Sequence, residues 1–374
     1  MTTPPAILDL SLQKAIVNLA NPVINDAIIL QNVSIVCRNI QNRAGVRLLL
    51  ACLLAKVHLP DIDIRKPYTQ IGDTDAFSGR TYDERFITEF VIRHDLPCNP
   101  TTAFLTPALR NRNTVLTPDL ELEGRPKEVY QAVLQLLSDV HEQKISAEDL
   151  LTETIRQLII SRDEKRQRMD SLLAGLTAAR SEIVLSAEAI ITLIEQHLAC
   201  RGASRLPVLI IAAIYQSASR HLGEHILPLK LHNAADSQTQ SLGDIQITLI
   251  NDDNVITCFE MKMKKVIIND IDQAIQKIAR SPHKLDNYIF ITTDTVTQEV
   301  KDYALTVYER TSGVEFVILD CIAFLRHFLH LFHRLRINFL DNYQNLVLSE
   351  PESAVSQPLK EAFLALRQAA ESGE

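Results

Sequence analysis

Along residues 203–349, segments with a helical spacing of hydrophobic residues alternate with segments that have the pattern of a β-strand. Apolar residues at three- and four-residue spacing predict helices in RLPVLIIAAIYQSASRHL, IINDIDQAIQKIAR, TQEVKDYALTVYER and CIAFLRHFLHLFHRL. Two-residue alternation or short apolar runs predict strands in HILPLKL, GDIQITLI, NVITCFEMK, NYIFITTD and VEFVILD. The order α-β-β-β-α-β-α-β-α is typical of a mixed β-sheet flanked by helices, so we predict the α/β (α+β) class.

The residues before this domain follow a different pattern and predict a largely helical N-terminal region. Residues 127–202 keep helical spacing. Residues 1–126 contain an apolar helix near 44–57, and then a stretch rich in proline, glycine, asparagine and arginine that predicts long loops. We therefore predict four regions. They are a loop-rich and helical region at 1–126, a helical middle region at 127–202, the sheet domain at 203–349, and a peripheral polar tail at 350–374.

The composition is that of an ordinary globular protein. Of the 374 residues, 46% are hydrophobic and 22% are charged, which excludes a disordered or fibrous chain. The longest apolar runs, such as residues 46–57, are shorter than the roughly 18–20 residues that cross a bilayer, so we expect no membrane role. The six cysteines lack the close pairs of a zinc site and follow no signal peptide, so we expect reduced thiols in a cytoplasmic protein.

The net charge of −8 argues weakly against nucleic acid as a partner, because phosphate groups bind to a positive surface. However, an enzyme that gathers carboxylates for a divalent metal, and surrounds its DNA with local basic residues, can be acidic overall. The net charge therefore leaves a nuclease open.

Two of the predicted strands carry charged residues among apolar ones. In GDIQITLI, Asp244 shares a face with Gln246 and Thr248, because side chains alternate along a strand. In NVITCFEMK, Glu260 and Lys262 share a face for the same reason. The tight turn NDDN joins the two strands, so Asp244 can lie about 5 Å from Glu260 across the ladder.

Two carboxylates this close, with the backbone carbonyl of Met261 between them, form the small set of oxygen ligands that Mg²⁺ takes. The metal can stabilise the charge on a phosphodiester under attack and lower the pKa of the attacking water. Lys262 can orient or help deprotonate this water, or hold the scissile phosphate. We therefore predict a nuclease site with Asp244, Glu260 and Lys262 as catalytic residues, and Asp244, Glu260 and Met261 as metal ligands. The alternative is a solvated edge of an antiparallel sheet.

This arrangement resembles the PD-(D/E)xK nuclease superfamily, whose common core is α-β-β-β-α-β. Asp244 matches the aspartate of the motif, Glu260 its second acidic residue and Lys262 its lysine. Gly243 stands where the motif has proline, which makes the match less specific. The resemblance implies a restriction-endonuclease-like core with Mg²⁺ as cofactor.

Three further residues have two interpretations each. Glu224 occupies a place where several members of the superfamily add another carboxylate, so it is either a possible additional acidic ligand or a surface residue at a helix end. Gln273 and Lys277, on the predicted helix after the motif, either face the site or face solvent.

Residues 44–113 resemble the N-terminal part of the SacI family of type II restriction endonucleases. The resemblance lies in the series LLAK, PDI and GRTYDER, in which each motif is weak but the order is distinctive. It implies a sequence-specific endonuclease for double-stranded DNA that needs Mg²⁺, acts as a homodimer on a short palindrome and is paired with a DNA methyltransferase.

Arginine and asparagine residues are frequent in and near this segment. They are Arg80, Arg85, Asn99, Arg110, Asn111, Arg112 and Asn113. Guanidinium and carboxamide groups make the bidentate contacts that read guanine and adenine edges, or hold phosphates, so we predict that these residues bind DNA. Two alternatives remain: Arg80, Asp83 and Arg85 can form local salt bridges, and Asn99 can be a turn residue.

These observations favour a type II restriction endonuclease. One alternative is a repair-type nuclease that acts on damaged or branched DNA. The other is a non-catalytic DNA-binding protein that keeps a nuclease fold, which the presence of all three charged residues disfavours.

Overall fold

The computed structural model describes residues 3–99, 101–179, 185–229, 242–281 and 284–372. The chain forms two compact units, Met1–Arg168 and Met169–Glu374. Along the described stretches, none of the helices is both long enough and apolar enough to cross a membrane.

The first unit is helical and loop-rich. Its helices are α1 (Pro4–Val17), α2 (Ala27–Arg38), α3 (Ala44–His58), α4 (Gly79–Tyr82), α5 (Thr88–Arg93), α6 (Lys127–His141) and most of α7 (Ala147–Ala179). Every residue of α3 from Ala44 to Ala55 is buried. This helix is apolar on all sides, as a helix in the middle of a core must be. The other elements of the unit therefore pack around α3.

A buried arginine on α3 holds the loops of this unit together. The guanidinium of Arg47 is fully buried and pairs with the equally buried carboxylate of Asp83. It also donates hydrogen bonds to the carbonyl of Asn99 and to the hydroxyl of Thr88. The second oxygen of Asp83 accepts from the hydroxyl of Thr102 at 2.6 Å. Loops distant in sequence thus converge on one buried ion pair.

Within its described residues, the second unit contains a five-stranded sheet and, after the end of α7, seven helices. The helices are α8 (Ala187–Leu198), α9 (Leu206–Leu222), α10 (Ile268–Ala279), α11 (Gln298–Arg310), α12 (Cys321–Leu331), α13 (Arg336–Ser349) and α14 (Gln357–Ser372). The strands are β1 (Glu224–Ile226), β2 (Ile245–Leu249), β3 (Val255–Lys262), β4 (Asn287–Thr292) and β5 (Glu315–Asp320). The predicted order from α9 to α12 and the predicted α/β (α+β) class are therefore confirmed.

The sheet has the spatial order β1-β2-β3-β4-β5. Strands β1, β2 and β3 pair antiparallel, whereas β3, β4 and β5 pair parallel. Helices α10 and α11 form the connections between the parallel strands, as parallel pairing requires. The sheet is therefore mixed, as predicted.

Both faces of the sheet are covered. Ile245, Ile247 and Phe259 lie in one core with residues of α9, α12, α13 and α14. Cys258 and Tyr288 lie in a second core with residues of α10 and α11. The sequence predicts one apolar face and one carboxylate-lysine face for the β2–β3 hairpin. The burial of Ile245, Ile247 and Phe259 confirms the apolar face. On the other face Cys258 is buried beside Gln246, and the charged residues lie at the end that carries Glu260 and Lys262.

Two other expectations differ from the structure. Residues 350–374 are expected to form a peripheral tail, yet within their described part Phe363 and Leu364 of α14 are fully buried. The reason is helical spacing, since Leu359, Phe363 and Leu364 lie on the helix face that enters the core. The predicted strand HILPLKL is in β1 only as far as Ile226, and its last two residues, 230 and 231, lie outside the described residues.

The ion pair of Arg47 and Asp83 predicts a stability effect. Replacing Arg47 with Ala leaves the Asp83 carboxylate buried without its cation, so we expect the free energy of unfolding to fall by about 3–5 kcal/mol. The measurement is guanidinium-induced unfolding followed by circular dichroism. The control is Arg80→Ala, which removes an exposed pair with Glu84 and should cost at most about 1 kcal/mol. Equal unfolding midpoints for the two variants would contradict the central role of Arg47.

Candidate active site at the end of strands β2 and β3

The pairing of β2 with β3 brings the predicted carboxylates together. Ile245 opposes Phe259 in this antiparallel ladder, so Asp244 and Glu260 form the next opposed pair. Asp244 lies directly before β2 rather than within it, and it is exposed. Its Oδ2 accepts a hydrogen bond of 2.7 Å from the backbone N–H of Met261. The loop into β2 is thereby fixed against the end of β3.

The glycine at the motif's proline position has a steric explanation. A Cβ atom added to Gly243 would lie 2.6 Å from the backbone oxygen of Phe259 and 3.2 Å from its carbonyl carbon. Backbone atoms of a paired strand cannot move away without breaking the ladder. The close approach therefore requires glycine immediately before Asp244.

The carboxylate of Glu260 is 16% exposed and has three donors around it. Lys262 Nζ lies 3.2 Å from Oε1, while Lys277 Nζ lies 3.3 Å from Oε2. The hydroxyl of Tyr288 donates to Oε2 at 3.0 Å. Lys277 reaches Glu260 from α10, which decides between the two interpretations of this lysine: it faces the site. Gln273, on the same helix, is exposed.

Lys262 lies between two carboxylates. Its Nζ is 3.2 Å from Glu260 Oε1 and 3.3 Å from Asp270 Oδ1. Burial lowers the pKa of Lys262, but the two carboxylates raise it by more, so the pKa lies above its usual range. The ammonium group therefore stays protonated at neutral pH.

The hydroxyl of Tyr288 contacts the carboxylate of Glu260 from the core of the second unit. Its ring is buried in the core under α10 and α11, and its hydroxyl lies 2.8 Å from the carbonyl oxygen of Leu242 and 3.0 Å from Glu260. Burial, followed by the negative charge of Glu260, raises the pKa of Tyr288 far above its usual range. The phenol therefore remains a neutral donor that holds Glu260 near the end of β3.

Sequence reasoning missed Asp270 and Tyr288. Asp270 lies in the first turn of α10 and Tyr288 on β4, so neither belongs to the hairpin that carries the motif. A local signal exists for Asp270 alone: it precedes Lys277 by seven residues, which places both on one helix face. For Tyr288, parallel pairing of β3 with β4 decides the position, and the motif does not predict it.

Glu224 is not brought to this site. It opposes Leu249, at the far end of β2 from Asp244. Leu249 is five positions along the chain from Asp244, a distance of about 16 Å in an extended strand. The structure therefore does not place Glu224 beside Asp244 and Glu260, because Glu224 lies at the opposite end of β2 from Asp244. Burial raises the pKa of Glu224 where it lies.

The donor atoms fit a hard divalent cation. Asp244 and Glu260 supply carboxylate oxygens from opposed positions, and Met261, whose carbonyl is the third predicted ligand, directly follows Glu260. Within the described part of the chain, no cluster of three or more histidine, cysteine, aspartate or glutamate side chains could hold a metal ion. A cation held by the carboxylates of Asp244 and Glu260 would have few protein ligands, which matches the preference of Mg²⁺ for water and substrate oxygens in its remaining positions.

A surface pocket of about 280 Å³ in the first unit collects some of the predicted DNA-binding residues. Four of the seven line it: Arg80, Arg110, Asn111 and Asn113. Its other lining residues are Pro67, Tyr68, Thr69, Gln70, Ser78, Phe104 and Leu105. The pocket thus presents guanidinium, carboxamide and hydroxyl groups to solvent. We call it the arginine pocket.

The other three predicted DNA-binding residues lie outside the lining of the arginine pocket. Arg85 is exposed. Arg112 is half-buried, and its Nε donates to the carbonyl of Ala108 at 3.0 Å. Asn99 is half-buried, and its backbone carbonyl accepts from the buried Arg47.

Most of the GRTYDER motif has a structural role. A Cβ atom on Gly79 would lie 2.4 Å from the ring of Phe104 and 2.8 Å from Pro67. The hydroxyl of Tyr82 lies 2.6 Å from Nδ1 of His58. Asp83 pairs with Arg47, so the alternative of one salt-bridge set of Arg80, Asp83 and Arg85 is wrong. Arg80 instead pairs with Glu84 at 2.7 Å on the surface.

Comparison with protein families gives a match in the second half of the chain. Residues 183–293 match the SacI restriction endonuclease C-terminal domain, and this range contains Asp244, Glu260, Lys262 and Asp270. A search of curated proteins found no relative. The matched range does not overlap residues 44–113. It therefore supports the resemblance of those residues to the SacI family with evidence from a different part of the chain. Residues 183–293 thus resemble a SacI-type restriction endonuclease domain, which confirms the predicted resemblance to the SacI-like restriction endonuclease family over this part of the chain.

Proposed function

We propose that the protein is a type II restriction endonuclease that hydrolyses phosphodiester bonds at a specific site in double-stranded DNA, with Mg²⁺ as cofactor. The observation that carries the proposal is the cluster of Asp244, Glu260 and Lys262 at the end of the β2–β3 ladder, inside the range that matches a restriction endonuclease domain. The resemblance of this cluster to the PD-(D/E)xK motif supports the proposal.

The residues have distinct roles in this proposal. Asp244 and Glu260 hold the cation through their carboxylates, and Met261 does so through its carbonyl. When bound there, Mg²⁺ would stabilise the charge on the attacked phosphate and lower the pKa of the attacking water. Lys262 places a permanent positive charge beside the scissile phosphate. Tyr288 keeps the Glu260 carboxylate at the end of β3, where it can face the cation.

We assign DNA recognition to the first unit, with the arginine pocket as its centre. Guanidinium and carboxamide groups offer donors and acceptors in fixed planes, which is what reading of base edges requires. The guanidinium of Arg110 is exposed and, among the residues that the structure describes, has no hydrogen-bond or ion-pair partner. Arg85, Asn99 and Arg112 remain candidates for phosphate contacts.

The remaining parts of the proposal concern assembly and biological context. A short palindrome presents the same half-site twice, so a two-fold symmetric homodimer can read both halves with identical residues. An enzyme that cuts a short fixed sequence endangers the DNA of its own cell, which is why we expect a DNA methyltransferase that protects the same site. We place the reaction in the cytoplasm, where this DNA lies.

The carboxylates provide the first test of this function. We expect Asp244→Asn and Glu260→Gln each to abolish cleavage of cognate DNA in Mg²⁺, because a site with few protein ligands loses its cation when one is removed. Specific DNA binding should persist. The measurement is plasmid cleavage beside a gel-shift assay, after the cut sequence has been found by sequencing of the cleaved ends. The matched control is Asp253→Asn in the exposed turn before β3, which should cleave normally. Normal cleavage by either site variant would contradict the assignment.

Lys262 provides the second test. A cation beside the attacked phosphate stabilises the transition state more than the ground state, so Lys262→Ala should cut about a hundredfold more slowly with little change in Kd. The measurement is single-turnover cleavage with enzyme in excess, so that product release does not limit the rate. Lys264→Ala is the control, because Lys264 lies beyond the end of β3 and is exposed. Equal rates for Lys262→Ala and the parent enzyme would favour the non-catalytic alternative.

The arginine pocket provides the third test. If Arg110 contacts a base, Arg110→Ala should weaken binding to the cognate duplex by about 1–3 kcal/mol and leave non-specific binding almost unchanged. Arg80→Ala tests the second guanidinium of the pocket. Its matched control is Arg93→Ala, because Arg93 forms the same kind of exposed pair, with Glu89, outside the pocket. Binding is measured by fluorescence anisotropy at several salt concentrations. Full specificity in both pocket variants would place recognition elsewhere in the chain.

A further inference from the structure

The ammonium of Lys262 has a second carboxylate partner that the motif does not include. Lys262 Nζ is 3.3 Å from Asp270 Oδ1, nearly the same distance as to Glu260 Oε1 at 3.2 Å. Asp270 belongs to α10, eight residues further along the chain, and its carboxylate is 19% exposed. The lysine is therefore held from two elements, strand β3 and helix α10.

Asp270 is itself fixed in place. Its Oδ2 accepts a hydrogen bond of 3.0 Å from the backbone N–H of Ile267, the residue that precedes α10. This contact satisfies one of the free N–H groups at the helix start, and a negative charge is favourable there. The two oxygens thus divide their roles: Oδ2 anchors the carboxylate to the backbone, while Oδ1 contacts Lys262.

The two partners of Lys262 differ in what else they must do. In the proposed function, Glu260 also coordinates the cation, so its two oxygens cannot keep all their contacts with Lys262, Lys277 and Tyr288. Asp270 does not coordinate the cation. A lysine side chain has four rotatable bonds and no rigidity of its own. If Glu260 turns toward the cation, Asp270 is the contact that keeps the Lys262 ammonium at the end of β3.

We propose that Asp270 is a positioning residue that holds Lys262 beside the scissile phosphate. This inference rests on the proposed function, since it assigns Glu260 to the cation and Lys262 to the phosphate. Asp270 acts through the lysine and does not touch DNA. The competing role, a third carboxylate ligand of the cation, is disfavoured because both oxygens of Asp270 already have partners, Lys262 Nζ and the backbone N–H of Ile267.

The kinetic test is a double-mutant cycle of Asp270 and Lys262. Asp270→Asn keeps an oxygen for the N–H of Ile267 but removes the charge. We expect it to lower the single-turnover cleavage rate about 10- to 100-fold, with the Kd for cognate DNA unchanged. In a Lys262→Ala background, the same substitution should change the rate less than about twofold, since coupled residues are not additive. Asp270→Glu, which restores the carboxylate, should recover part of the rate.

Two kinetic outcomes would overturn the proposal. A further loss of tenfold or more on adding Asp270→Asn to Lys262→Ala would show that Asp270 acts independently of the lysine. Recovery of the Asp270→Asn rate at high Mg²⁺ concentration would make Asp270 a ligand of the cation. The matched control is Asp272→Asn, on the same helix, whose carboxylate accepts from the hydroxyl of Tyr303. It should cut at the parent rate.

A second measurement does not depend on cleavage. The ammonium of Lys262, held by two carboxylates, should exchange its protons slowly enough to give a ¹H–¹⁵N signal at low temperature, assigned by its absence in Lys262→Ala. We expect this signal to persist in the parent protein with Mg²⁺ and to vanish in Asp270→Asn. Its persistence in Asp270→Asn would overturn the proposal. A parent protein that cuts no DNA would contradict the proposed function, while this signal would still decide whether Asp270 holds Lys262.

Discussion

The antiparallel register of β2 and β3 is the constraint on which the candidate site depends. Ile245 and Phe259 are opposed in this ladder, and both are buried in the same core. A slip by one residue would turn them out of the core, so the burial of apolar side chains fixes the register. The same register sets Asp244 against Glu260. The packing of Ile245 and Phe259 in the core thereby determines the distance between the carboxylates of Asp244 and Glu260.

The charges at the site are arranged so that the carboxylates can exist there together. Asp244, Glu260 and Asp270 bring three negative charges, and Lys262 and Lys277 bring two positive charges. The sum is −1, so the cluster is nearly balanced, with a small excess of negative charge. The two lysines thus offset most of the repulsion among the carboxylates.

The first unit uses a buried charge for a different purpose. Arg47 and Asp83 are fully buried, and the loop segments around Asn99 and Thr102 are hydrogen-bonded to them. A buried pair of this kind contributes little net stability compared with an apolar pair, but it requires its partners in one arrangement. Loops without regular secondary structure can in this way present a defined surface, including the arginine pocket.

The sequence by itself determined the local features of this protein. The periods of 3.6 and 2 follow from backbone geometry, so the order of helices and strands from α9 to α12 was predictable, as was the common face of Glu260 and Lys262. The tertiary structure alone decided which distant residues meet. It brings Lys277 and Tyr288 to Glu260 and Asp270 to Lys262. It also separates Glu224 from the site and buries Phe363 in the core. The reason is that these placements depend on how helices pack on the sheet, and side-chain packing between elements distant in sequence leaves no periodic signal in the chain.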